Sequence, residues 1–568
     1  MPEYLSPGVY VEEFDSGLVP MEGVGTSTAG FIGLAVKGPV GGIPQLVTGI
    51  ADFKRKYGGY LSSMEFADYR FLAYAVEHFF INGGTRAFIS RVAPPDAGSA
   101  EAQHESPLKL AAANAGAWGN ELKAVITPAS KAKTQIMKLL TPTCAEVKSS
   151  VGFHAGDVVL LTGGEEKKYN RVVKSQDNII EFAEDVDEWA VDNSLVPAKH
   201  LCTCEFNLDV YHDDVSEIYG NLSFNVSIPN HIGKRMAKSD LVRVEIGDIP
   251  EDATPPFEWI AGTDKTELTL SFAGGSNGNV GSISAGTVNG EDNGPGKRTG
   301  IQAFLDNSVC SIMAVPGITD PNVQLMLVAH CENLASRFAV LDIPKELSKT
   351  DEVITHREMF DTQYAALYHP WLSVFDPLSQ KNIFIPPSGA VSGIYARSDA
   401  TRGVHKAPAN EVVRACTGLS VSYNKGEQDI LNPRGVNLIR AFPGQGINVW
   451  GARTASSNGL WKYVNVRRLF IYVEESIKAN TNWVVFEPND ETLWARVQRT
   501  IEVFLTGLWR GGALAGASSG EAFYVQVGRS TMSQDDIDNG RLICVIGVAP
   551  VKPAEFVIFR LTQKTATQ

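Results

Sequence analysis

No apolar run in this chain approaches the ~18–20 residues that a membrane-spanning helix needs, so direct membrane insertion is not expected. The opening MPEYLSPGVYVEEFD is acidic and broken by proline, which does not fit a signal peptide. Cysteine is scarce. There are seven, an odd number at scattered positions, so free thiols made in a reducing cytoplasm are expected rather than a disulfide framework. Only Cys202 and Cys204 lie close together. A metal half-site would need a second pair or histidines at ligand spacing, which His200 and His212 alone do not supply. Alternation along a strand sends both sulfurs to one face instead. A surplus of positive charge is also missing: the net charge is −14, and nucleic acid is not the expected partner.

Catalytic signatures are equally thin. GASSG (516–520) has the letters of a nucleophile elbow. That elbow needs a strand to deliver the serine into a turn ahead of a helix. Here an apparent helix precedes Ser518 and the strand AFYVQV follows it. GPGKRTG places Arg298 where a phosphate loop needs a hydroxyl, and Glu291 where it needs its first glycine. HDDVSE (212–217) lacks the spaced ligands and glycine of a calcium loop. No two histidines stand four apart, and neither H-E-x-x-H nor C-x-x-C occurs. These readings predict no catalytic residues, no metal, no cofactor and no enzyme.

What is present is an ordinary globular composition, 44% apolar and 20% charged over 568 residues, a length suited to about three or four domains. Charge is unevenly spread. Residues 151–300 hold 12 basic and 25 acidic groups, whereas residues 401–568 hold 19 basic and 14 acidic ones. The pattern of elements divides the chain. An N-terminal arm and linker (1–25) hold a short strand and the glycine-rich VPMEGVGTSTAG. An α/β part (26–125) follows, strand–helix–strand, its helix stopped by Asn82-Gly83-Gly84. Short strands between turn residues mark a β-rich surface insertion (126–275), and a glycine-rich linker (276–300) follows it. Helix–strand alternation resumes over 301–440. A C-terminal domain (441–568) carries two amphipathic helices and ends in the strand 555–562. The predicted class is therefore a multidomain α/β (α+β) protein: a split α/β body, a β-rich insertion and a C-terminal α/β domain with a strand at its end.

Two features point to assembly. SPGVYVEEF and EFVIFRL are strands at the chain ends, and a terminal strand either pairs within its own chain or completes a sheet in another subunit. The helix VNVRRLFIYVEESIKAN carries Arg467, Arg468 and Lys478, either as a solvated face or as a surface for a negatively charged partner.

Several blocks then combine. SPGVYVEE, AGFIGLAVKGPVG, FFINGGTRAFISRV and AGAWGNEL are followed by FNLDVYHDDVSEIYGNLSFN, SIMAVPGITDPNVQ and SRFAVLDIP. After these come IPPSGAVSGIYARSDATRGVHKAPAN, LNPRGVNLIRAFPGQGINVWGART, WKYVNVRRLFIYVEESI, GALAGASSGEAFYVQV and APVKPAEFVIF. In this order they resemble the contractile tail sheath proteins of phages, R-type bacteriocins and phage-tail-like injection systems. The resemblance covers about two-thirds of the chain and is poorest over 125–270. It implies a structural homo-oligomer, stacked as rings or a helix around an inner tube protein and joined to baseplate and terminal cap proteins. The sheath contracts from a metastable extended state and drives the tube through a target envelope. It implies synthesis in a bacterial cytoplasm and residence in a phage tail or phage-tail-like particle, with release from the cell one outcome. The alternative is a non-contractile structural protein of a tail or baseplate. The resemblance also implies exchanged terminal strands, with Val9, Tyr10, Val11 and Phe14 in one and Phe556, Val557, Ile558, Phe559 and Leu561 in the other. VPMEGVGTSTAG would be the flexible tether, and Lys462, Arg467 and Arg468 the inner-tube contacts. The subtilisin-like middle layer of that family carries no catalysis over to this chain.

Overall fold

The computed structural model describes residues 21–558 except 103, 105–107, 164–165, 187–198, 214, 250–252 and 264. At its centre lies a nine-stranded sheet. Six strands run parallel in the order Ala87–Val92, Ala29–Leu34, Ile312–Ala314, Phe338–Asp342, Ala365–His369, Val436–Phe442. Antiparallel strands close both edges: Gln45–Val47 at one, Gly446–Val449 and Glu411–Val412 at the other. The parallel strands AGFIGL, FAVLD and AALYH are buried along their whole length, because helices cover both faces of such a sheet. Helices Leu72–Ile81 and Ser388–Arg402 contribute to the core on one face. Helices Pro321–Leu334 and Thr350–Arg357 contribute to the core on the other. The fold is the multidomain α/β class that the sequence predicts.

The β-rich insertion is larger and more divided than its sequence signal. Glu101–Ala102 and Leu108–Ala112 are already strands of a seven-stranded antiparallel sheet that continues to Leu268–Ala273. The insertion therefore begins ahead of the expected residue 126. Nested within this sheet is a closed barrel of six strands between Lys133–Thr141 and His200–Thr203, with a core of its own. The chain enters the barrel after Ala129 and leaves it at Glu205, two residues paired across adjacent strands.

Two further boundaries shift. The stretch 276–300, expected as a flexible linker, is fastened by side chains. Asp96 accepts from the Asn279 N–H (3.0 Å) and the Ser282 hydroxyl (2.9 Å). Ser284 and Thr287 form a reciprocal cap on helix Ala285–Asn289, and Arg298 pairs with Asp292 and Asp306. Asn, Ser and Asp bond readily to nearby backbone, so a composition that looks loose folds here into successive turns. The expected start of the last domain at 441 falls inside the central sheet, whose strands reach Val449. The C-terminal unit consists of helices Val464–Asn480 and Glu491–Arg510 over the hairpin Phe523–Val527/Cys544–Val548.

The chain enters and leaves the barrel at two paired residues, and polar contacts such as Asn225 on Asp157 (2.7 Å) and Tyr169 on Glu258 (3.2 Å) join it to the sheet, so we expect it to be separable. Replacing residues 131–203 by an Asn-Gly turn should leave a cooperatively melting protein within a few degrees of the parent in thermal unfolding. Glu205→Thr should accompany the replacement, because the partners of that carboxylate, Lys131 and Thr203, leave with the barrel. Loss of the cooperative transition would show that the barrel supports the body.

Candidate functional site: the roots of the two arms

Helix Val464–Asn480 is wedged between two cores. Val464 and Ile471 belong to the core of the central sheet, and Leu469 and Val473 to the C-terminal core. Its arginines therefore do not form a solvated stripe. Arg468 is 4% exposed and meets Asp399 of helix Ser388–Arg402 through two hydrogen bonds, 2.9 and 2.6 Å. Burial alone would lower the guanidinium's pKa, but the Asp399 charge and hydrogen bonds outweigh it and hold the group above its ordinary value. Arg467 is 3% exposed, bonds both oxygens of Glu474 (2.8 and 2.9 Å), and lies over the ring of Trp461 at 4.6 Å. Lys462 stands 3.7 Å from Glu555. The three residues expected to touch an inner tube thus have partners inside the chain, and the two arginines are buried.

The Arg468–Asp399 pair also fastens the incoming chain. Arg468 donates to the Thr26 carbonyl (2.9 Å), and the Thr26 hydroxyl donates to Asp399 (2.7 Å). Further back, the Val24 N–H donates to the Ser476 hydroxyl (3.1 Å), and Asn480 exchanges two hydrogen bonds with Glu22. At Gly23 a Cβ would come within 1.9 Å of the Tyr472 hydroxyl, so a larger residue here would have to displace that ring. The second half of VPMEGVGTSTAG is therefore a strap along the helix rather than a free tether.

The outgoing chain is fastened at the other end of the same helix. The Ala549 N–H donates to Ala522, the Val551 N–H to Ala513, and the Asn465 side chain to the Val551 carbonyl. Glu555 then receives two hydrogen bonds from Arg453 (2.7 Å each), one from Asn432 (2.8 Å) and one from Tyr463 (3.0 Å). Burial pushes this carboxyl up, but its hydrogen bonds from Arg453 and Asn432 and the Arg453 charge prevail and bring it down to about 2. A depressed carboxylate adds stability that is complete above its unfolded pKa and is lost as pH falls through the folded one. This grip is therefore complete above about pH 4.5 and weakens progressively as the pH falls towards 2. Immediately beyond it, Phe556, Val557 and Ile558 are 73, 69 and 79% exposed. Val9, Tyr10, Val11, Phe14, Phe559 and Leu561 lie outside the described residues.

Sequence reasoning missed Asp399, Asn432 and Glu555, which no local pattern marks as partners of this helix. It also missed the outer face of helix Glu491–Arg510, where Arg496, Arg499 and Arg510 are exposed at helical spacing. The i, i+3 repeat of Arg496 and Arg499 was the available signal. Elsewhere, Ser518 precedes helix Ser519–Ala522 with the strand following, the reverse of an elbow. Glu121, His212 and Asp213 gather within 4.8 Å, but both carboxylates are exposed and Lys37 contributes a positive charge beside the imidazole.

Residues 22–27 and 549–555 are thus fastened at or beside one helix, and Phe556, Val557 and Ile558 are left exposed, an arrangement suited to an assembly subunit. Residues 296–455 match the phage tail sheath protein central domain, and residues 456–564 match the phage tail sheath C-terminal domain. The chain belongs to the phage tail sheath family. It is 26% identical over 289 residues to a protein designated a prophage major tail sheath protein in Pseudomonas aeruginosa (strain UCBPP-PA14), covering 49% of this chain and 72% of that one. It is 28% identical over 212 residues to the tail sheath protein of Escherichia phage P2, covering 35% of this chain and 52% of that one. Its fold is shared with a sheath complex of an extracellular contractile injection system solved in the contracted state, at a TM-score of 0.53, 20% identity and 99% coverage of both chains.

Asp399→Asn should cost about 3–5 kcal/mol of stability, because it leaves Arg468 buried without its counter-charge. Chemical denaturation of the isolated chain measures this. A loss below about 1 kcal/mol would mean that the pair is dispensable.

Proposed function

We propose that this chain polymerises around an inner tube as a contractile sheath, and that its two ends form the links between subunits. One observation carries the reading. The chain is fastened at Glu555 and then projects Phe556, Val557 and Ile558 into solvent, although an apolar β-type run needs a sheet to bury it. The partner strands belong to other subunits. Residues 8–14, with Val9, Tyr10, Val11 and Phe14, and residues 555–562, ending with Phe559 and Leu561, make the exchanged strands. Contraction is a change between two packings of the bodies, and the links persist because their roots are fixed in each body. A baseplate triggers the change and a cap ends the polymer. The subunit is made in a bacterial cytoplasm and works in a phage tail or phage-tail-like particle. No nucleotide or metal drives the stroke, because its energy is stored in the extended lattice.

The inner-tube contact falls on the exposed face of helix Glu491–Arg510 rather than on Lys462, Arg467 and Arg468. That face presents Arg496, Arg499 and Arg510, and it belongs to residues 401–568, where basic groups outnumber acidic ones by 19 to 14. Arg499→Glu with Arg510→Glu should lower assembly on the tube at least tenfold and leave self-assembly of the sheath within twofold, as read by co-sedimentation. Equal loss of both would place the face between sheath subunits.

Electron microscopy of the purified chain tests the main reading. Hollow tubes should form, and deletion of residues 556–568 should abolish them while leaving a folded monomer. Tubes that persist after the deletion would remove the arm from the assembly.

A further inference from the structure

A cluster of ligating side chains lies in the insertion, apart from the arms and their roots. His212 ends strand Glu205–His212, and Glu121 ends the 3-10 helix Ala117–Glu121 just ahead of strand Lys123–Ala129. The two strands pair with Tyr211 opposite Lys123, a register that carries Asp213 towards Glu121. In a regular strand His212 and Asp213 would point to opposite faces. Asp213 instead takes φ +48, a left-handed conformation that Asp tolerates. Its carboxylate stands 3.8 Å from Nδ1 of His212. One ligating atom from each of Glu121, His212 and Asp213 lies within 4.8 Å of the other two.

The imidazole distinguishes this group from an ordinary acidic turn. The His212 side chain is 7% exposed, yet its Nε2 has no hydrogen-bond partner among the described residues and stands 3.8 Å from a Glu121 oxygen. A buried nitrogen left unpaired is costly, and a metal ion would satisfy it. The ring packs edge-on against Trp118, centroids 5.2 Å apart, so it is held in place. Both carboxylates are more than two-thirds exposed and can turn towards it. Lys37, from the α/β body, lies over the other ring of the pair, Trp118, at 5.7 Å, and Asp213 and Asp240 act on its buried ammonium. Three carboxylates against this one ammonium leave the neighbourhood negative. Burial and the Lys37 charge hold the imidazole's pKa below its ordinary value, which favours the neutral form that ligates.

We propose that Glu121, His212 and Asp213 bind one zinc ion, which staples together the two paired strands that carry the chain into and out of the barrel. One imidazole with two carboxylates suits zinc, with bonds of about 2.0–2.2 Å, whereas magnesium and calcium prefer oxygen alone. At those lengths tetrahedral ligand atoms stand about 3.4 Å apart. Rotation of the two exposed carboxylates closes the site on the fixed imidazole, and water takes the fourth position. Lys37 opposes the ion and so limits its affinity.

The test is calorimetric titration of the full chain with zinc after chelator treatment, with thermal unfolding alongside. One equivalent should bind in the micromolar range, and saturating zinc should raise the melting temperature by several degrees. Glu121→Gln with Asp213→Asn, both at exposed positions, should weaken binding at least tenfold and abolish the shift in melting. His212→Gln should weaken it as much, and Lys37→Met should tighten it about threefold. Melting curves without zinc show that each variant is folded, and the exposed double variant keeps the test valid if His212→Gln is not. The proposal is overturned if the folded double variant binds zinc as tightly as the parent, which would make the metal an adventitious ion only, held by cysteines or other histidines. It is also overturned if the parent binds no zinc in the micromolar range. Magnesium bound as tightly as zinc would overturn it too, because the imidazole would then be no ligand.

Discussion

The structure depends on one buried ion pair, Arg468 with Asp399. Neither charge is accessible to water, and each is held by more than its partner: the arginine also bonds the Thr26 carbonyl and stacks over Tyr395, and the aspartate also accepts from Thr26. Buried pairs of this kind contribute little net stability over an apolar replacement but are expensive to break on one side. What this pair contributes is position. It ties helix Val464–Asn480 to helix Ser388–Arg402 of the central body and closes the incoming strap over the joint. The root of the N-terminal arm, the α/β body and the C-terminal unit therefore meet at this contact.

From that contact the assembly logic follows. A sheath that changes packing needs links that survive the change, and a link survives if its root moves with the body. Both roots here lie on the same helix, the strap on Ser476 and Asn480, the outgoing chain on Asn465 and Tyr463. Under the proposed arm exchange this helix joins the two links, with Arg453 and Asn432 of the body also holding Glu555. The barrel and the seven-stranded sheet have separate cores, and the chain passes between them at Ala129 and Glu205.

Much of the body was legible in the sequence. Continuous apolar runs such as GFIGLAV and RFAVLDIP signalled strands, and Asn82-Gly83-Gly84 marked the end of a helix. The hidden parts share a cause: polar side chains used internally. Arg467 and Arg468 read as a surface stripe because charged residues are seldom buried, and the Asp399 that buries Arg468 lies 69 residues away. The stretch 276–300 read as a linker because its order comes from Asp96, Ser284 and Arg298, which leave no apolar pattern. The strap over 22–27 read as a tether for the same reason. The terminal apolar runs stood out by composition alone; of the expected strand 555–562, the described residues 555–558 form no strand, and Phe556 to Ile558 are exposed.

The most direct measurement is a cryo-electron-microscopy map of the assembled particle in both the extended and contracted states, traced through residues 8–28 and 549–562. The account predicts that residues 22–27 and 549–555 lie on helix Val464–Asn480 of their own subunit in both states, Arg468 on Asp399, with residues 556–562 paired in a neighbour's sheet. A C-terminal strand folded back onto its own body, or a strap that leaves the helix on contraction, would contradict it.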